Sequence, residues 1–256
     1  MLRRHLVSAA YVAVILIASY GTSRAAPKGV LELFTSQGCS SCPQADKLLG
    51  ELANDPSIIA LSLPIDIWDY LGWKDTLALT GHSARQRAYA ELRGDRQVYT
   101  PQIVVNGSVH VLGSDRAAIE RSIVQTDRNT AVMSLPLLVS ADGGDLTVTI
   151  KGAPAGEPSG EVWLCPLTTA VPVAIGRGEN RGRTVTYHNV VRAWQKLGEF
   201  SGPDSTWIIP LSQIEKDDVD GVAVLVQEGS REKPGVILGA AFTQFQIPPR
   251  QLTTGR

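Results

Sequence analysis

Two cysteines separated by two residues stand at the junction between an apolar run and a helical one, and this junction constrains the fold more than any other feature. The run 30–34 (VLELF) has strand composition. Cys39-Ser40-Ser41-Cys42-Pro43 follows, and then Ala45, Leu48, Leu49, Leu52 and Ala53 recur at helical spacing. A dithiol is thus expected where a strand hands over to a helix. The loop that such a pair closes is too small to staple a domain. Pairs of this kind are redox-active or metal-binding, and a single pair does not complete an all-cysteine zinc site from sequence neighbours. A helix N-terminus stabilises a thiolate through its free N–H groups and dipole. Cys39 is therefore expected to titrate below the free thiol value and act as nucleophile, with Cys42 as the resolving thiol.

The chain ahead of this junction reads as an export leader. Arg3 and Arg4 precede a short apolar run, 9–19, and Ser23-Arg24-Ala25 offers small residues for cleavage after Ala25. The alternative is an uncleaved anchor, but the run is shorter than the roughly 20 residues a span requires. No later stretch is long enough, so the mature chain is expected outside the cytoplasm with no membrane span. The formal net charge of -1 gives no bulk attraction to nucleic acid.

Patterning changes partway along. Segment 28–127 reads strand, helix, strand, helix, strand, strand, helix. Ser83 resembles the start of a capping box and Gly94 a helix stop. Asn106-Gly107 signals a two-residue hairpin turn between 102–105 and 108–112, and Ser114 or Asp115 caps a last helix through Ile123. Segment 131–248 holds short strand-like runs at 132–139, 146–150, 161–167, 184–191, 205–209, 222–227 and 235–242. Only 192–197 has any helical spacing there. That pattern suggests an antiparallel sandwich or small barrel. Residues 249–256 read as a flexible tail.

The order of elements, with Gly38-Cys39-Ser40-Ser41-Cys42-Pro43 between strand and helix and Thr100-Pro101 ahead of a hairpin, resembles the thioredoxin superfamily. The resemblance implies an α/β thioredoxin-like N-terminal domain, a mixed sheet flanked by helices, over 28–127. It implies a cis Pro101 beside the dithiol and a Thr100 backbone that pairs with an extended substrate. An insertion at 68–94 and an all-β sandwich-like domain over 131–248 complete the expected layout. A narrower resemblance, to secreted bacterial thioredoxin-like proteins of unknown function, rests on 32–43, Trp68-Asp69-Tyr70-Leu71-Gly72-Trp73-Lys74-Asp75, Tyr99-Thr100-Pro101-Gln102, 178–183 and 187–192. Relative to thioredoxin itself, Gly38 replaces a Trp and Leu33 replaces a buried acid; Glu32 beside it points to the opposite strand face.

Candidate catalytic residues are therefore Cys39, Cys42 and Pro101, and candidate substrate-binding residues are Thr100, Trp68, Tyr70 and Trp73. The cluster Asp66, Trp68, Asp69, Tyr70 and Trp73 is either a cleft rim or a packed capping turn. His82 and His110 lack metal-motif spacing to the pair, and no metal site or cofactor is assigned. Cys165 lies in an apolar strand, either as an inert buried thiol or as a third redox partner. Segment 178–183 is an anion site, a cap on the first domain or a plain loop. Three functions follow: thiol–disulfide exchange with exported protein thiols or a redox partner protein; a binding or scaffold protein with a structural or sensing disulfide; and a copper or other metal carrier.

Overall fold

β-Branched and apolar runs dominate the chain, and most of them pair into one sheet. The computed structural model describes residues 26–152, 158–214 and 218–245. The leader expected at 1–25 and the tail expected at 249–256 lie outside the described residues. In order, the elements are β1 (Gly29–Thr35), α1 (Cys42–Leu52), β2 (Ile58–Pro64), a short 3₁₀ turn (Asp69–Leu71), α2 (Thr80–Arg93), β3 (Gln102–Val105), β4 (Val109–Leu112) and α3 (Arg116–Thr126). Then come β5 (Leu137–Asp142), β6 (Asp145–Ile150), β7 (Gly160–Ala174), β8 (Thr184–Val191), β9 (Gln195–Phe200), β10 (Ser205–Pro210), β11 (Gly221–Ser230) and β12 (Lys233–Gln244).

Among the described residues, nine strands form one mixed sheet in the order β12-β11-β7-β8-β2-β1-β3-β4, with β9 paired to β7. β5, β6 and β10 form a separate three-stranded sheet. The expected helix-flanked thioredoxin-like domain, followed by a distinct β-sandwich-like domain, is thereby overturned. The two halves of the chain meet where β2 and β8 run parallel, with Ser62 opposite Val190. Asn189 lies on the other side of that seam, and its Nδ2 donates to the Ala60 carbonyl at 2.9 Å. The physical reason for the correction is a shared core. Val30, Phe34, Leu61 and Leu63 from the first half pack with Trp163, Cys165, Leu167, Ala223 and Leu225 from the second.

Strand alternation sends side chains to two faces. On one face of β1, Leu31 and Leu33 meet Ala45, Leu48, Leu49 and Leu52 of α1 and Ile119 of α3. On the other, Val30 and Phe34 meet Tyr89 of α2. The three-stranded sheet buries Leu137, Leu146, Val148 and Ile150 against Val162, Leu164, Val222 and Val224 of the large one.

Local signals fared unevenly. Gly94 closes α2 in the left-handed region, at φ 76°. Asn106 and Gly107 lie in the β3–β4 turn with φ 52° and 68°, but Val105 pairs with Val109, so Ser108 joins them in a three-residue connection in place of the expected two-residue one. Asp115 caps α3 through the Ala118 N–H at 2.9 Å. The Ser83 capping box is not used: α2 begins at Thr80, and Ser83 is buried with its hydroxyl donating to Asp66. The region 192–197 is no helix, since β9 starts at Gln195 and its partner is β7. Nor does 132–139 form one strand: β5 begins only at Leu137. No described helix is long and apolar enough to cross a membrane.

Candidate functional site

The dithiol lies on the α1 face of the large sheet. Cys39 and Cys42 are joined as a disulfide with a Cα–Cα distance of 5.4 Å. Cys42 opens α1 and is fully buried, with Pro43 beside it in the first turn. Cys39 sits in the turn ahead of the helix, where its N–H donates to the Ser36 carbonyl at 3.1 Å and its carbonyl accepts from the Cys42 N–H at 3.3 Å. Only 5% of Cys39 is exposed, so the pair is covered rather than displayed.

Three side chains from distant segments form the cover. Asn180, in the β7–β8 loop, donates through Nδ2 to the Gln37 carbonyl at 3.0 Å and the Cys39 carbonyl at 2.7 Å. Trp73 donates through Nε1 to Gln37 Oε1 at 2.8 Å, with its ring against Gly176 and its Cβ against Gly178. Trp68 donates through Nε1 to Thr100 Oγ1 at 2.8 Å. Its Cβ would lie 2.9 Å from any Cβ at position 38, which accounts for glycine there. Tyr70 is 75% exposed and rests against Trp68 with ring centroids 6.1 Å apart. Trp68 and Trp73 are thus brought to the dithiol loop, while Tyr70 lies outside it.

The Thr100–Pro101 peptide is cis. Pro101 packs where Gly113 leaves room for it, since a Cβ on Gly113 would meet Pro101 Cβ at 3.1 Å, Ala45 Cβ at 3.2 Å and Leu33 at 2.8 Å. Through Gly113, Pro101 shares a neighbourhood with α1, and through Trp68, Thr100 is tied to the dithiol loop.

The carboxylates tell a different story from the sequence. Glu32 is fully buried on the α2 face, ion-paired to Arg85 at 2.6 Å and accepting from the Tyr89 hydroxyl at 2.6 Å. It faces the α2-side core that holds Cys165, not the α1 face of the sheet. Asp46, one helical turn after Cys42 on the buried side of α1, is 1% exposed. Neither of its carboxylate oxygens has a well-formed hydrogen bond. Burial pushes its pKa up to about 8; the nearby Thr35 hydroxyl opposes this weakly, and the Asp75 carboxyl adds to it. Asp75 is raised to about 6, chiefly by burial, although it accepts from the Gln37 N–H at 2.8 Å and the Leu77 N–H at 2.9 Å. Tyr187 of β8 feels both carboxyls, and burial above all holds its phenol well above its usual value. Two protonatable acids therefore stand in the interior, Asp46 one helical turn after Cys42 and Asp75 on the N–H of Gln37, two residues before Cys39.

Asp46, Asp75 and Asn180 escape a reading of the sequence. Asp46 alone leaves a trace, a carboxylate at helical spacing from both Cys42 (i+4) and Leu49 (i−3). His82 is buried with Nδ1 against the Pro64 carbonyl at 2.9 Å, and burial lowers its pKa to about 4. His110 pairs with Asp95 at 3.1 Å. Cys165 is buried in the α2-side core, and burial raises its thiol pKa.

Residues 30–227 match the model of a protein family described as a protein of unknown function, DUF1223. The chain belongs to the DUF1223 family. A solved crystal structure of an Agrobacterium tumefaciens protein resembles this DUF1223 chain at 33% identity with a TM-score of 0.76. The match covers 86% of this chain and 95% of that one. No curated protein matches the sequence.

The cover of the DUF1223 dithiol is open to test. Replacing Asn180 by Ala leaves two buried carbonyls without their donor, at a cost of about 1–3 kcal/mol in urea denaturation. A local loss of ~1.4 kcal/mol corresponds to about tenfold more frequent opening. Reduction by dithiothreitol, followed by thiol labelling, should accelerate by about that factor. An unchanged rate would mean that Asn180 does not guard Cys39.

Proposed function

We propose that this protein carries out thiol–disulfide exchange on exported protein thiols, or with a redox partner protein, through Cys39 and Cys42. The observation that carries this reading is the buried acid at Asp46, one turn beyond Cys42 in a helix that starts with the dithiol. A buried carboxyl whose pKa is pushed up this far by desolvation, next to a dithiol helix start, marks a functional-site candidate. The chemistry balances without a cofactor. A client thiolate attacks Cys39 Sγ, the Cys39–Cys42 bond breaks, and Cys42 leaves as a thiolate that takes the Asp46 proton. In reverse, the Asp46 carboxylate removes the Cys42 proton, and the Cys42 thiolate displaces the client from Cys39. Export is the reading supported by the leader-like sequence of 1–25 and by the survival of disulfides in oxidising compartments.

The low exposure of Cys39 favours a second reading, a binding or scaffold protein with a structural or sensing disulfide. The Cys42→Ser variant separates the two. Under exchange it accumulates mixed disulfides through Cys39 in an extract of exported proteins, released by reductant, and Cys39→Ser accumulates none. Absence of adducts from both variants, with a reduction potential below about -300 mV, would sink exchange in favour of binding.

A further inference from the structure

β8 has a free backbone edge beside the dithiol helix. In an antiparallel pair, successive residues turn their N–H and C=O groups alternately toward and away from the partner strand. Pro172 of β7 has no N–H to give, and it stands opposite Thr186. The Ile175 N–H donates to the Arg183 carbonyl at 2.9 Å. Both facts set the same phase: Arg183 bonds across the pair, and Thr184, Thr186 and His188 turn their backbone groups away from β7. No strand takes up these groups among the described residues, because β2 meets β8 only where Ser62 lies opposite Val190. Asn189, at φ 48°, interrupts the extended backbone at that point.

This edge borders a groove of about 710 Å³. Pro43, Lys47 and Gly50 line one wall from α1, and Thr184, Thr186 and His188 line the other. The His188 ring lies against Gly50, where a Cβ would come within 2.4 Å of it. The opposite end of the groove adjoins the dithiol. Pro43 follows Cys42 directly, and Arg183 Nη1 donates to Asn180 Oδ1 at 3.3 Å. Asn180 is the residue whose amide holds the Cys39 carbonyl.

The tip of the β7–β8 loop sets the sign of charge at that end. Arg177, Arg181 and Arg183 are exposed there, against the single exposed carboxylate of Glu179. None of these four forms an ion pair among the described residues. On α1, Lys47 and Glu51 are paired at 2.9 Å, and Glu51 also holds Arg116 at 2.6 Å. The helix wall therefore adds no excess negative charge, and the dithiol end of the groove is positive.

We propose that a partner protein lays an extended acidic segment alongside residues 184–188 of β8, its main chain bonding to the free edge and its carboxylates meeting the arginines of the tip. A strand added to an open edge gains main-chain hydrogen bonds, while the flanking side chains select the partner. The proposal deepens the exchange reading and rests on it for what docking achieves, the delivery of a partner thiol beside Cys39. Docking itself needs no thiol, so the two readings fail separately.

The oxidised mature chain is titrated with three capped hexapeptides that lack cysteine: SEVEVT, SKVKVT, and SEVEVT N-methylated on two adjacent central residues. Binding and amide exchange are followed by NMR. SEVEVT should bind at least about tenfold more tightly than SKVKVT, and that preference should shrink in about 0.5 M salt. N-methylation, which removes a main-chain donor in either register, should weaken SEVEVT by about tenfold. The Thr184 and Thr186 amides should exchange at least about tenfold more slowly in the saturated complex. Arg177→Glu combined with Arg181→Glu, both at exposed positions, should erase the preference for SEVEVT. No binding at about millimolar peptide, equal binding of SKVKVT, tolerance of N-methylation, or unprotected Thr184 and Thr186 amides would each overturn the proposal. Docking as expected with no mixed disulfides from Cys42→Ser would sink exchange and leave the docking edge standing.

Discussion

Replacing Glu32 by Met should destabilise the folded chain by about 3–5 kcal/mol, because it strands a buried guanidinium. Glu32 and Arg85 are 0% and 7% exposed, with Arg85 Nε 2.6 Å from Glu32 Oε1. Arg85 Nη2 also donates to Tyr89 Oη at 2.7 Å and to Gln227 Oε1 at 2.8 Å. The network therefore ties β1, α2 and β11 together, which are contributions from both halves of the sequence. Arg85→Met should lose a similar amount by leaving the Glu32 carboxylate unpaired. The double substitution should recover at least half of either loss, because two apolar chains of similar length remove both buried charges together. Urea denaturation of the four proteins measures the cycle. Single losses below about 1 kcal/mol would place the pair in contact with water, contrary to its burial.

That network also marks where reading the sequence stops. Alternation in the run 30–34 places Glu32 opposite Leu33, and the structure has them on those two faces. Periodicity assigns a side chain to a face but says nothing of its partner. Arg85 is 53 residues from Glu32, and Gln227 is 142 residues from Arg85. The same limit explains the misjudged architecture. The runs 184–191 and 222–227 are legible as strands, but their alternation is equally compatible with a separate sandwich and with extension of the first sheet. The choice turns on one parallel seam, β2 with β8, made by residues well over a hundred positions apart. At the dithiol, the junction of strand, cysteine pair and helix is local and therefore readable. Asn180 reaches Cys39 across 141 residues, and no local pattern announces it. Ser83 failed for another reason: tertiary contact with Asp66 uses its hydroxyl, and the helix starts earlier without a side-chain cap.

Asp46→Asn should cost about 2 kcal/mol near pH 4, where its buried amide N–H groups lack partners, and should gain on the parent progressively at higher pH. The folded chain keeps a proton on Asp46 up to about pH 8, whereas the unfolded chain releases it near 3.8. Between those values the native state binds more protons than the unfolded state, so this carboxyl lowers stability by up to ~1.4 kcal/mol per pH unit as pH rises. Its favourable contribution is complete below pH 3.8 and lost through the folded value. An amide has the shape of the protonated acid but does not ionise, so the variant escapes that loss. Allowing for its own unsatisfied N–H groups, it should be more stable than the parent by about 2 kcal/mol at pH 7. Urea denaturation from pH 4 to pH 8 checks the slope, and parallel curves for the two proteins would mean that Asp46 ionises normally in the fold. The chemistry should move the other way. Without a proton acceptor beside it, Cys42 should resolve a mixed disulfide about 100-fold more slowly, the lower range for a positioned acid–base group. A substitution that strengthens the fold while slowing exchange is the signature of a group kept for function. If Asp46→Asn stabilises the chain and leaves resolution untouched, the proton passes elsewhere and Asp75 becomes the acid to replace.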